Sequence, residues 1–189
     1  MHYTFEKSFG GLDFLKKPLK KGDYECCRFE NCTFSDTDLS EFRFLETEFI
    51  ACNLSNTSIH KTSFQEIRFR HCKMLGLQFD TCNDFAFAIA FEDCQLDHST
   101  FYQMKLNRIS FKDCHLKGVD FTEATIKNIR FQNCDLLNAV FSNTNLENAD
   151  LSTARNYAID PELNWLKGAK FSIPEVFRLL EKYKIEIVQ

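Results

Sequence analysis

From Phe29 onward a large apolar residue returns at every fifth position: Phe29, Phe34, Leu39, Phe44, Phe49, Leu54, Ile59, Phe64, Phe69, Met74 and Phe79. The step slips by two residues and resumes at Phe91. It then runs through Leu96, Phe101, Leu106, Phe111, Leu116, Phe121, Ile126, Phe131, Leu136, Phe141, Leu146 and Leu151. A period of five fits neither the 3.6 of a helix nor the 2.0 of a strand. Such a chain turns a corner every five residues and brings one apolar side chain back to a common axis each time.

The residue two before each centre is mostly small: Cys27, Cys32, Thr37, Thr47, Cys52, Thr57 and Cys72 in the first half, and Cys94, Ser99, Cys114, Ala124, Cys134 and Ala149 in the second. A small inward residue beside a large one fills a narrow tube without clash. The other three positions of each five are mostly polar, rich in the Asn, Asp, Ser and Thr that satisfy backbone groups at turns.

A longer period lies inside the first. Phe29, Phe49 and Phe69 stand 20 apart, as do Phe91, Phe111 and Phe131, and the columns Cys32, Cys52, Cys72 and Cys94, Cys114, Cys134 keep the same step. Both columns jump by 22 across the slip, so the two extra residues form a local bulge near 80–90 and the columns stay aligned. Twenty residues are four repeats, so each coil has four sides. Coils stacked at the spacing of hydrogen-bonded strands rise about 4.8 Å each. This ladder explains 21 Phe in a chain of 189 residues with one Trp. At the slip, continuing the first phase would bury Asp84, where a lone carboxylate is heavily penalised. Asp84 is therefore expected to face water and Phe85 or Phe87 to fill the site.

The repeat resembles that of the pentapeptide-repeat family, usually written A(D/N)LXX. Asn148-Ala149-Asp150-Leu151-Ser152 and Asn138-Ala139-Val140-Phe141-Ser142 show it nearly as written. The resemblance implies an all-β solenoid, a right-handed quadrilateral β-helix, over residues 25–154. Residues 1–24 keep the phase loosely and place Lys7 and Lys17 at inward positions, which reads as a partly irregular N-terminal cap with a turn at Pro18. Residues 155–189 read as a C-terminal α-helical cap with a terminal strand. Asp160-Pro161-Glu162 has the pattern of a helical turn. Ser172-Ile173-Pro174-Glu175 has capping-box spacing, and Val176, Phe177, Leu179, Leu180 and Tyr183 form one stripe after it. Ile185, Ile187 and Val188 alternate as a short strand.

Apolar residues in excess of one rod end point to a homodimer through Phe171, Val176, Phe177, Leu180, Ile185 and Ile187. A rod followed by one amphipathic helix and a strand is similar to the subgroup that protects bacterial topoisomerases, which includes the Qnr quinolone-resistance proteins, mycobacterial MfpA and the microcin-immunity protein McbG.

Other chemistries find little foothold. Eight of the nine cysteines sit at small inward positions and none forms a C-x-x-C, so they read as core fillers rather than disulfides or a metal site. The five histidines form no ligand cluster. No nucleophile with its base and no Gly-rich phosphate loop is present, so no enzyme and no cofactor is expected. The longest apolar run, residues 85–91, is far shorter than the ~20 residues of a spanning helix. The N-terminus lacks the order of a secretory signal, so a cytoplasmic protein is expected. The net charge of −4 argues against direct nucleic-acid binding.

Charge is uneven along the chain: residues 1–24 carry +2, 25–100 carry −7, 101–151 are neutral and 152–189 carry +1. One wall, flanking Leu39, Ile59, Phe79, Phe101 and Phe121, presents Asp38, Glu41, Asp80, Asp120 and Glu123 against Lys61. The resemblance implies that such an acidic wall mimics DNA and occupies the basic groove of DNA gyrase or topoisomerase IV. The alternative is an interaction scaffold whose partner is unrelated to DNA.

Overall fold

The computed structural model describes residues 2–186 and 188. It is a parallel β-solenoid of about eight coils closed by one short C-terminal helical segment. Equivalent residues of successive coils pair in parallel: Phe29 opposite Phe49, Phe49 opposite Phe69, Phe91 opposite Phe111 and Phe111 opposite Phe131. Between strands the ladder continues as isolated bridges, so all four walls are hydrogen-bonded coil to coil. The corners require it: every few residues a side chain sits at positive φ, among them Asn31, Asp36, Glu41, Asn56, Glu123 and Asn138. Asn and Asp tolerate this conformation best because their short side chains bond locally.

The interior is a set of stacked columns. The rings of Phe29, Phe49, Phe69, Phe91, Phe111 and Phe131 stack with centroids 4.9–5.5 Å apart and are buried. Neighbouring walls supply edges to these faces, as Phe101 does to Phe111 at 5.8 Å. The offset-stacked and edge-on arrangements are the two that aromatic quadrupoles favour.

The N-terminal expectation changes in one respect. Residues 2–14 form a coil in register rather than an irregular cap: His2–Phe5 pairs with Gly22–Glu25, and Phe9 stacks on Phe29 at 4.7 Å. The Phe column therefore holds seven rings. Gly22 seats this coil, since a Cβ there would meet the His2 carbonyl oxygen at 2.1 Å. Lys7 and Lys17 escape the interior and are exposed.

At the other end the coils persist beyond 155: Asn145 pairs with Trp165, and Asp150–Leu151 with Lys170–Phe171. The helix is shorter than its pattern, an α-turn at Ile173–Val176 followed by a 3-10 segment at Phe177–Tyr183. The capping box does not close, because the Glu175 carboxylate instead accepts the Asn156 N–H at 2.8 Å and pairs with Arg178 at 2.8 Å. The expected strand is not formed at Ile185, Glu186 or Val188, and Ile187 lies outside the described residues.

Cys32, Cys52, Cys72, Cys94, Cys114 and Cys134 are buried free thiols. Cys52 donates to the Phe29 carbonyl at 3.5 Å and Cys72 to that of Phe49 at 3.3 Å. At Cys72 the neighbouring Cys52 thiol, together with burial, pushes the thiol up to about 12. At Cys94 and Cys114 the bond to the next thiol, Cys114 and Cys134 respectively, pulls the value down. The bond to the preceding thiol and burial outweigh it, leaving both at about 12. A group held protonated in the folded state contributes stability that is complete below the unfolded thiol value and lost as pH rises toward the folded one. Between the unfolded thiol value and the folded one, these thiols should lower the unfolding free energy progressively as pH rises. Denaturant midpoints under reducing conditions should hold from pH 7 to 8.5 and fall steeply above pH 9. A Cys72, Cys94, Cys114→Ala triple variant should show a shallower fall; an equal slope would remove the thiols as its cause.

Candidate partner-binding wall

The four outer walls differ in how their charges are answered. On the Phe29 wall, cations and carboxylates alternate from coil to coil. Arg28 and Arg68 flank Glu48 at 3.7 and 3.5 Å, Arg70 and Lys112 flank Glu92 at 3.4 and 2.5 Å, and Arg130 meets Asp150 at 3.6 Å. The Phe34 wall adds Asp135 with Arg155, and the Phe44 wall adds Asp23 with Arg43 and Glu147 with Lys127. Each pair has its cation exposed to solvent and is individually weak. Together they leave these walls nearly neutral to a partner.

The Leu39 wall is different. Its stacked positions read Asp38, Ser58, Gln78, Thr100, Asp120, Val140 along one column. The sequence-predicted residues Asp38, Glu41, Asp80, Asp120 and Glu123 are brought onto this one wall on alternate coils, with Ser58 and Thr100 at the levels between. Among the described residues its only ion pair joins Glu41 to Lys21 at 2.5 Å, at the N-terminal end. Lys21 holds the Glu41 carboxyl below the usual range. Asp38 and Asp120 have no cation; their Oδ1 atoms accept the N–H of Ser40 and Thr122, each at 2.8 Å. The Ser40 hydrogen bonds lower the Asp38 carboxyl. Asp80 stands exposed on the 3-10 turn Phe79–Thr81, and Glu123 accepts from the Gln103 amide at 2.7 Å. Asp38, Asp120 and Glu123 are held by these local bonds, and with Asp80 they carry charge that no ion pair answers among the described residues.

The sequence-predicted dimer residues divide. Phe171 is half-buried in the last coil, opposite Leu151 and against Tyr157 at 5.6 Å. Leu179, rather than Phe177 or Leu180, packs on the core. Lys182 clamps the helical segment to the preceding turn through Asp160 and Glu162, both at 2.6 Å. Phe177 and Leu180 are left 48% and 37% exposed, with Ile173 and Ile185 also outward. Sequence reading missed Trp165 and Leu163, two further exposed apolar side chains near this end. The lapse of the five-step beyond Leu151 hid them.

Among the described residues no group of His, Cys, Asp and Glu is placed to hold a metal, and no helix is long and apolar enough to cross a membrane. A tube filled to its axis, with its chemistry confined to outer walls, is a repeat protein that presents surface. The chain belongs to the pentapeptide-repeat family: the family profile, described as a pentapeptide repeat region, matches residues 23–84 and 87–155. No curated protein sequence matches it.

Among solved structures the fold is similar to QnrB1, described as a plasmid-mediated fluoroquinolone resistance protein. Two trypsin-treated single-site variants of QnrB1 are each 18% identical with TM-scores of 0.64. The alignment covers 99% of this chain and 100% of the first variant, and 96% and 99% for the second. Full-length QnrB1 is 17% identical with a TM-score of 0.63, covering 97% of this chain and all of QnrB1.

Proposed function

We propose that this chain is a non-enzymatic, cytoplasmic binding protein that acts on a bacterial type II topoisomerase, DNA gyrase or topoisomerase IV, as a surrogate for DNA. In this role it protects the enzyme from a quinolone or a peptide toxin. The observation that carries the reading is the Leu39 wall, where carboxylates without cation partners repeat along a straight rod while the other walls neutralise themselves. The fold of QnrB1, a fluoroquinolone resistance protein, supports the choice of partner. We propose also that two copies join through the apolar C-terminal end.

One magnitude favours a second reading. From Asp38 to Glu123 the wall climbs four coils, about 19 Å at strand spacing. Four of its carboxylates lack a cation, which is roughly one charge per 5 Å against one per ~1.7 Å of duplex DNA. Charge at that density steers a partner but does not by itself outcompete DNA, which favours the alternative of an interaction scaffold whose partner is unrelated to DNA.

A triple Asp38, Asp80, Asp120→Asn variant separates the readings. Asn keeps the acceptor oxygen of the turns and removes the charge, so circular dichroism and thermal midpoint should hold. Protection of gyrase supercoiling in the presence of a quinolone should fall at least about tenfold. Binding by the unaltered protein should weaken steeply above about 0.1 M salt, where screening reaches ~10 Å. Unchanged protection by the triple variant would remove the acidic wall as its cause, and no protection by the unaltered protein would leave the scaffold reading.

A further inference from the structure

Among the described residues the two-residue slip is the one place where the rod's register breaks: Ser63 pairs with Asn83 at a step of 20, and Ile67 with Ile89 at a step of 22. The family profile skips the same two positions, Phe85 and Ala86. Phe87 turns inward and is buried; Asp84 faces water; Phe85 projects outward with 73% of its surface exposed. An insertion that served only to reset the register would need no ring at its tip.

The bulge is also fixed in place. The Phe85 N–H donates to Asn83 Oδ1 at 2.9 Å, and the Gln65 amide donates to the Phe85 carbonyl at 3.4 Å. Ala86 takes the left-handed conformation at φ 54°, and Phe87 N–H reaches the Asp84 carbonyl at 3.3 Å. With the backbone beneath the ring held before binding, the bulge loses little further backbone entropy when a partner closes on it. Buried aromatic anchors of this kind carry most of the energy of small interfaces.

The surround specifies the socket. Grooves of about 630 and 480 Å³ flank this stretch of the rod. In them Arg68 and Arg108 are tied to Glu48 and Glu66. Among the described residues, Glu46, Asp80 and Asp84 have no cation partner, against Lys105 as the free cation. An apolar tip within a net acidic surround complements an apolar pocket with a basic rim.

We infer that Phe85 is a preformed anchor that inserts into an apolar, basic-rimmed socket on the protein partner. This supplies the contact energy that the dilute charge of the Leu39 wall lacks. The inference rests on the reading of the partner as a type II topoisomerase, so DNA gyrase is the probe.

Equilibrium binding of gyrase is measured for the unaltered protein, Phe85→Ala, Phe85→Leu and, as control, Leu137→Ala, an exposed apolar side chain on another wall. Phe85→Ala should bind about 30-fold more weakly, the loss expected of an anchor, and by the same factor at every salt concentration. Phe85→Leu should recover most of that loss, Leu137→Ala should match the unaltered protein, and all four should share one denaturation midpoint. Equal affinity of Phe85→Ala and the unaltered protein would overturn the anchor while leaving the topoisomerase reading intact. Failure of the unaltered protein to bind gyrase would overturn both. A lowered midpoint for both Phe85 variants would assign the ring to folding and also overturn the inference.

Discussion

Truncation of Phe111 to Ala should lower the unfolding free energy by about 3–5 kcal/mol. The ring is buried, stacked between Phe91 and Phe131 at 5.4 Å on each side and met edge-on by Phe101 and Phe121. Four aromatic neighbours cannot collapse into the space left by one, because each is itself stacked on the coil above or below. The cost should therefore sit near the top of the range for cavity-forming changes. Phe69→Ala, between Phe49 and Phe91, should behave alike. An outward residue such as Gln95, exposed and bonded only through its backbone, should tolerate Ala within about 0.5 kcal/mol. Chemical denaturation of the three variants checks this. Equal midpoints would contradict the stacked column, and with it the assignment of every fifth residue to the axis.

That column was legible because each level of the sequence agreed. The five-step set the corners, the small residue two places earlier set the tube width, and the step of 20 set four sides and coil-to-coil register. What lay beyond reach was whatever the period does not encode. Phe9 sits in phase but beside Lys7, so its coil read as irregular; backbone pairing to Gly22 and Ser8–Gly10 against Arg28–Glu30 decides it, and Lys7 leaves the interior. The two-ring choice at the slip was open, since Phe85 and Phe87 are equally apolar; Ala86 at positive φ turns the second inward.

The acidic wall was legible as positions but not as charge. Which carboxylates are answered depends on side chains 20 residues away on the same column, such as Lys21 beneath Glu41 and the flanking arginines of Glu48. The C-terminal helix was read as one amphipathic stripe. Its stripe instead splits, because Glu175 and Lys182 are drawn to Asn156 and to the turn at Asp160, rolling Leu179 inward.

That roll makes the dimer proposal sharp. Phe177→Asp should convert a dimer to a monomer without unfolding it, because the ring is half exposed while Leu179 is the residue of the stripe packed on the core. A charge at an apolar self-contact appears twice across a two-fold axis, so one substitution introduces two unsatisfied carboxylates into the same interface. Leu179→Asp should instead unfold the terminal coil, since Leu179 packs on the core, and its thermal midpoint should drop. Sedimentation at micromolar concentration reads the first outcome and thermal melts the second. A monomer for the unaltered protein would end the proposal, and a surviving dimer in Phe177→Asp would move the contact elsewhere. The arrangement also fits the charge. Joining the neutral C-terminal ends sets the two −7 segments, residues 25–100, at opposite tips of a rod twice as long. Like charges there lie several Debye lengths apart and do not oppose association, whereas any pairing through the N-terminal halves would bring them together.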